Sequence, residues 1–227
     1  MKRVERPSPN HDARDTAIDM LVLHYTGMAS SEAALARLCD VQARVSAHYM
    51  IDEDGTIFAL VPEDRRAWHA GVSFWAGDTN INARSIGIEL VNPGHEFGYR
   101  AFPAAQVAAL TTLCHSILLR HPIPSARVLG HSDVAPARKE DPGELFPWEE
   151  LAASGIGLWP KAAAPVDDVM EGLARWGYDP ALPQDVLVTA FQRHFRPTCV
   201  NGMADAETRG MLAGLLAWQA GTKGATS

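Results

Sequence analysis

The chain has 227 residues, 47% of them hydrophobic and 21% charged, which is an ordinary balance for a globular protein with a substantial core. No apolar run is long enough to cross a bilayer, so no membrane span is expected. A formal net charge of -7 and the absence of a concentrated basic stretch argue against nucleic acid as a partner.

The cysteines and the N-terminal residues bear on the cellular compartment. Cys39, Cys114 and Cys199 lie far apart in no metal-binding spacing, so no disulfide framework is expected. Residues 1–15 include basic side chains but lack the apolar core and cleavage site of a secretory signal peptide. We therefore expect a cytoplasmic protein, with a periplasmic or wall-associated location as the alternative for a trimmed chain. The oligomeric state is not predicted.

The first elements are read from short apolar patterns. Residues 1–17 are polar and are expected to form a loop or surface arm. The apolar run over residues 19–26 predicts a strand that is buried on both faces. A helix is expected over residues 33–39, with Ser30 or Ser31 as its N-cap.

The next segments favour a mixed sheet. Residues 46–61 predict two strands joined at Asp54-Gly55, a dipeptide suited to a tight hairpin turn. Residues 85–91 predict another buried strand, and residues 103–119 an amphipathic helix that covers the sheet. An antiparallel hairpin among covering helices indicates an α/β fold with a mixed central sheet flanked by helices.

The composition changes near the C-terminus. A proline-flanked run of small residues predicts a linker over 159–166, between a catalytic domain over 1–158 and a small domain over 167–221. Capping signals near residues 168, 183 and 205 predict three short helices in the second domain.

Polar residues that could carry chemistry follow or interrupt the buried strands. His24 follows an apolar run, Glu89 lies inside one, and residues 130–143 contain a histidine, a lysine and several acids. An acid among buried strand residues is costly without a partner, so Glu89 is expected to face a cation or a polar cleft.

These residues suit a hydrolytic zinc site. Two histidines and one acid would leave the fourth tetrahedral position of zinc for water, and spacing alone would allow either Glu140 or Asp141 beside His24 and His131. Glu89 is the candidate base for that water. Lys139 lies two residues before Asp141, so on an extended segment both could face a developing oxyanion.

Long motifs in the same order resemble one known family. The motifs are Leu23-His-Tyr-Thr26, Ser46-Ala-His-Tyr49, Asp54-Gly55-Thr-Ile57, Ala67-Trp-His-Ala-Gly71, Asn82-Ala-Arg-Ser-Ile-Gly-Ile-Glu89 and Gly130-His-Ser-Asp-Val-Ala-Pro-Ala-Arg-Lys-Glu-Asp-Pro-Gly143. Together they resemble the type-2 N-acetylmuramoyl-L-alanine amidases, which are zinc enzymes related to peptidoglycan recognition proteins. The resemblance implies zinc on His24, His131 and Asp141, with Glu89 as general acid/base and Lys139 as electrophilic partner.

The C-terminal residues resemble a peptidoglycan-binding three-helix domain. The resemblance is carried by Leu173, Gly177-Tyr178, Ala190-Phe-Gln-Arg-His-Phe-Arg-Pro197, Asn201-Gly202, Asp205 and Thr208. Asn201 replaces the acidic residue usual in that family, a mild change because asparagine tolerates the same turn. Phe191 and Phe195 are four residues apart and are expected to be core residues first.

Other residues near these motifs receive weaker assignments. His48, Trp68 and His69 are candidate substrate contacts, with support of the cleft wall as the alternative for both histidines and packing for Trp68. Asp133 and Glu140 are expected to be solvated, and His194 to do no chemistry.

The sequence therefore predicts a zinc amidase that cuts between N-acetylmuramic acid, or its 1,6-anhydro form, and L-alanine in peptidoglycan fragments. Its expected partners are peptidoglycan or anhydromuropeptides. The alternatives are a non-catalytic peptidoglycan recognition protein and a zinc amidase of different specificity, such as an endopeptidase.

Overall fold

A six-stranded sheet forms the centre of the molecule in a computed structural model that describes residues 2–224. The strands, in chain order, are β1 (Arg3–Glu5), β2 (His11–Ala13), β3 (Met20–Tyr25), β4 (Tyr49–Ile51), β5 (Ile57–Ala59), β6 (Arg65–Ala67), β7 (Ser85–Leu90) and β8 (Val128–Gly130). The order across the sheet is β1-β5-β4-β7-β3-β8, and β2 pairs with β6 separately. Strands β4, β7, β3 and β8 run parallel, whereas β5 is antiparallel to β4. The predicted mixed sheet is confirmed.

Helices cover both faces of this sheet. They are α1 (Ser31–Cys39), α2 (Ile81–Arg84), α3 (Gly94–Phe97), α4 (Ala104–Arg120), α5 (His131–Val134), α6 (Trp148–Ala153), α7 (Val169–Trp176), α8 (Gln184–Phe195) and α9 (Ala206–Gly224). Ser30 caps α1, since its hydroxyl accepts a hydrogen bond from the Ala33 N–H at 3.2 Å. The hairpin turns at Gly55, whose φ of +83° is the left-handed conformation expected there.

Strand β3 shows why the central strands read as continuous apolar runs. Its residues alternate between the two faces, and neither face meets solvent. Leu21 and Leu23 join a hydrophobic cluster with α4, while Met20 and Val22 join a second cluster. The prediction of a strand buried on both faces is confirmed.

The second cluster is built with the C-terminal helices. It unites Met20 and Val22 of β3 and Leu129 of β8 with Leu173 of α7, Leu187 and Phe191 of α8, and Leu212 of α9. These three helices lie at the positions predicted for them. They form one continuous core with the sheet.

Two segments outside the central strands and helices make defined contacts with the rest of the molecule. Residues 1–17 contain β1, which pairs with β5, and β2, which pairs with β6. No residue of these two strands is fully buried, so the segment fits the predicted surface arm and not the alternative of a loop. A strand of three residues is too short to show a periodic hydrophobic pattern in the sequence. Such strands form when they pair with a neighbouring strand. The segment 159–166 packs along α9, where the Ala163 N–H donates to the Gly210 carbonyl at 3.0 Å. The domain boundaries at 158 and 167 stay a prediction.

No helix in the described part of the chain has the length and apolar character needed to cross a membrane.

Candidate active site

Three side chains meet at the carboxyl end of the parallel strands. His24 lies near the end of β3, His131 follows the neighbouring β8 directly, and Asp141 lies in the loop after α5. The Nδ1 atoms of His24 and His131 are 3.0 Å apart, and the Asp141 Oδ2 atom lies 3.1 Å and 3.0 Å from them. All three residues are buried. The topology thus joins side chains that are 107 and 117 residues apart in the chain.

The hydrogen bond on the far side of the His131 ring fixes its tautomer. Its Nε2 atom lies 3.0 Å from the carbonyl oxygen of Ala70, which can only accept a hydrogen bond. The proton of a neutral His131 therefore resides on Nε2. This leaves an unprotonated Nδ1 facing Asp141.

A side-chain relay fixes His24 in the same way. The Ser85 hydroxyl donates to the Ile81 carbonyl at 2.7 Å, so its oxygen accepts from the His69 Nε2–H at 3.0 Å. The His69 Nδ1 then accepts from the His24 Nε2–H, also at 3.0 Å. The ring of His69 packs on Gly87, where any Cβ atom would overlap it. The unprotonated Nδ1 of His24 is consequently directed at His131 and Asp141.

The charge state of the cluster matches a cation site. Burial and the neighbouring His131 lower the pKa of His24 to about 4, so this ring is neutral at pH 7. Burial works to raise the pKa of Asp141, but the two adjacent histidines hold it below its usual range. The Nδ1 atoms of two imidazoles and one carboxylate oxygen therefore converge on a single point. Ligands of a tetrahedral zinc ion would be about 3.3 Å apart, close to the spacing here, so the residues fit zinc.

Glu89 lies on β7 in register with His24 of β3. Burial raises its pKa well above the usual value, and Asp141 adds to this, while the positive charge of Lys139 opposes it. Among residues 2–224, no group forms a hydrogen bond with the Oε2 atom of Glu89. A carboxyl group whose pKa is raised in this way is suited to accept a proton from a bound molecule and to return it.

A cleft of about 890 Å³ opens over these residues. Its lining includes Glu89, His131, Lys139 and Asp141, together with the residues from Tyr25 to Met28. Helix α8 contributes Asp185, Val186, Thr189 and Arg193 to the same lining. The first, third and fourth of these are spaced by four residues, so they share one helix face. This four-residue spacing of Asp185, Thr189 and Arg193 is visible in the sequence, but we did not predict that these residues line the cleft.

The sequence matches the family model described as N-acetylmuramoyl-L-alanine amidase over residues 14–144, which is more than half of the chain. The chain belongs to this amidase family. The matched residues include every member of the cluster described above.

Several characterised relatives share most of this chain. It is 43% identical over 230 residues to the N-acetylmuramoyl-L-alanine amidase AmiD of Escherichia coli. The alignment covers 88% of this chain and 82% of AmiD. It is 36% identical over 166 residues to the 1,6-anhydro-N-acetylmuramyl-L-alanine amidase AmpD of Citrobacter freundii. This alignment covers 65% of this chain and 87% of AmpD.

Solved structures confirm the fold. AmiD of Escherichia coli, in complex with anhydro-N-acetylmuramic acid-L-Ala-D-gamma-Glu-L-Lys, superposes with a TM-score of 0.81 at 41% identity, covering 91% of this chain and 92% of that structure. AmpDh3 of Pseudomonas aeruginosa, in complex with anhydromuramic pentapeptide, superposes with a TM-score of 0.81 at 36% identity, covering 89% and 92%.

The predicted substrate contacts of the amidase differ in their access to the cleft. Trp68 lines the cleft, and its indole N–H donates to Asp12 Oδ2 at 2.7 Å. His69 also lines it, although both of its ring nitrogens are used in the relay. His48 is fully buried, and its Nδ1 accepts from the Gly87 N–H at 3.0 Å. The structure therefore places His48 in the supporting wall, away from the cleft surface.

The expectation that Asp133 is solvated is wrong. This residue is 1% exposed, and its carboxylate accepts hydrogen bonds from the Gly130 N–H, the Tyr178 hydroxyl and the His194 Nδ1–H. Two of these donors follow Asp133 by 45 and 61 residues, so local sequence could not reveal them. Glu140 is exposed, as expected, and pairs with Arg193 at 3.0 Å.

Proposed function

We propose that this amidase is zinc-dependent and hydrolyses the amide bond between N-acetylmuramic acid, including its 1,6-anhydro form, and L-alanine. The observation that carries the proposal is the convergence of His24 Nδ1, His131 Nδ1 and Asp141 Oδ2 within 3.1 Å of one another. Zinc bound there would supply a Lewis acid that polarises a carbonyl and lowers the pKa of water toward neutrality.

Glu89 is the proposed general acid/base. Glu89 lines the same cleft as Asp141, and its raised pKa suits both directions of proton transfer. It would take a proton from the attacking water and deliver it to the nitrogen of the departing L-alanine. Lys139 would donate a hydrogen bond to the carbonyl oxygen as negative charge develops there.

The proposed substrate is a muropeptide with a free peptide stem. AmiD and AmpDh3 have been solved with anhydromuropeptides, and the cleft here is large enough for sugar and peptide together. The wall formed by α8 would contact the part of the substrate that extends beyond the scissile amide. A soluble anhydromuropeptide would fit the predicted cytoplasmic location, whereas intact sacculi would fit the wall-associated alternative.

Three variants test the site. We expect His131→Ala to lose both zinc and amidase activity, as measured by elemental analysis and by release of peptide. Glu89→Gln should keep its zinc but lose roughly 10²- to 10⁴-fold in kcat, the usual contribution of a general acid/base. Glu96→Gln, an exposed acid that also lines the cleft, serves as the matched control and should keep both.

The outcomes separate the parts of the proposal. Full turnover by metal-free protein would overturn zinc dependence, and a fully active Glu89→Gln variant would overturn the role of Glu89. Turnover of 1,6-anhydromuropeptide compared with intact sacculi then identifies the preferred substrate.

A further inference from the structure

The short helix α5 joins the proposed zinc site to the C-terminal part of the chain. It has four residues and begins with His131, too few for a helix to be stable by itself. Asp133, two residues after His131, accepts a hydrogen bond from the N–H of Gly130 at 2.7 Å, just before the ligand. Ser132, between them, donates its N–H to the carbonyl of Asp141 at 2.9 Å. The position of Asp133 thus bears on two of the three ligands.

The remaining donors to Asp133 come from the C-terminal helices. Tyr178, which follows α7, donates its hydroxyl at 2.6 Å to Oδ1, and His194 of α8 donates Nδ1–H at 2.7 Å to Oδ2. The ring of His194 is stacked between Trp148 and Phe195, with centroid distances of 3.7 and 3.8 Å. Both donors are almost completely buried, so their directions are fixed by packing.

The position of a buried carboxylate is set by the groups that donate hydrogen bonds to it. Hydrogen bonds to a buried carboxylate are among the stronger ones in proteins, and a lost donor leaves a buried acceptor unsatisfied. Loss of a donor to Asp133 would therefore let the Gly130–Val134 turn relax. The Nδ1 atom of His131 would move with it, relative to His24 on β3.

We propose that Asp133 is a positioning residue of the zinc site and that Tyr178 and His194 hold it in place. The C-terminal helices thereby set the affinity of the amidase domain for its metal. This inference rests on the proposed zinc site and adds a contribution from beyond residue 144, where the family match ends.

Two tyrosine variants test the inference on the full chain. Tyr178→Phe removes the hydroxyl that donates to Asp133, and Tyr49→Phe removes a hydroxyl that donates to the Glu63 carboxylate at 2.7 Å. Both tyrosines are buried, and each change removes one hydroxyl that donates to a carboxylate. The two variants differ in that Asp133 lies beside the proposed zinc site and Glu63 does not. Competition with a chromogenic chelator gives the zinc affinity, and thermal denaturation gives the stability.

We expect zinc affinity to fall about tenfold in Tyr178→Phe, the lower range for changes in groups that support metal ligands, and to stay unchanged in Tyr49→Phe. The Tm should fall in both. At saturating zinc, kcat of Tyr178→Phe should return toward the wild-type value. Equal zinc affinities in the two variants would overturn the inference, since the hydroxyl would then contribute stability alone.

A second pair of variants covers the case in which Tyr178→Phe does not fold. His194→Asn keeps a side-chain N–H donor for Asp133, whereas His194→Leu does not, so the asparagine variant should bind zinc more tightly. Equal binding by the pair would contradict the inference. His131→Ala separates this from the proposed function: zinc binding by that variant at wild-type affinity would refute the site itself.

Discussion

Histidine binds a metal ion through an unprotonated nitrogen, so the proton on the opposite ring nitrogen needs an acceptor. The two histidines of this site meet that need differently. His131 uses the backbone carbonyl of Ala70, which no side-chain substitution removes. His24 uses His69 and Ser85, whose side chains can be changed. The tautomer of His24 is therefore the part of the site most open to a mutational test.

Ser85→Ala breaks the relay at its last member. His69 would lose the acceptor for its Nε2–H and could place its proton on Nδ1, which would repel the His24 Nε2–H. We expect zinc affinity to fall about tenfold, as for other groups that orient metal ligands. Ser46→Ala is the matched control, because its buried hydroxyl donates to Asn10 and lies outside the relay. A chelator titration that finds equal affinities for the two variants would refute the relay.

At the scale of the elements, sequence patterns predicted what is local. The apolar run of β3, the Asp54-Gly55 hairpin and the cap of α1 each depend on residues within one segment, and each is found. Strands β1 and β2 were missed because their pairing partners lie elsewhere in the chain. The polar face of α8 was missed for a related reason. Its residues became part of the cleft only when the opposite face packed on the sheet.

Arg193→Ala tests whether the α8 wall binds substrate. The Arg193 side chain is 15% exposed, lines the cleft and pairs with Glu140, next to Asp141. Muropeptide stems carry carboxylates, and a charged hydrogen bond of about 1.5–3 kcal/mol corresponds to roughly tenfold or more in binding. We expect KM for an anhydromuropeptide to rise about tenfold, with little change in kcat.

The control is Arg175→Ala, which removes an exposed arginine from α7. Its KM should match that of the wild type. A lower kcat with unchanged KM in Arg193→Ala would instead assign Arg193 to the support of the catalytic residues through Glu140.

At the scale of the whole molecule, the sequence could assign the chemistry but could not establish the arrangement of its parts. His24 and Glu89 were flagged by their position in apolar strands, and the choice of Asp141 over Glu140 came from family resemblance. Asp133 could not be placed, because its donors come from residues 178 and 194. The sequence predicted the C-terminal helices but could not show that their apolar faces pack on the sheet. Such packing depends on how two distant surfaces match.

A cut in the connecting segment distinguishes a shared core from a detachable module. A protease site placed at residues 162–164 would interrupt the chain between α6 and α7 without removing any member of the core. Separation of the two pieces would expose the apolar face formed by Met20, Val22 and Leu129, at a cost of about 25 cal/mol for each Å². We therefore expect the cleaved protein to elute as one species in size-exclusion chromatography and to unfold in a single calorimetric transition. It should also retain zinc, because Tyr178 and His194 would still reach Asp133. Two separate species, or two transitions, would show instead that the helices fold and act on their own.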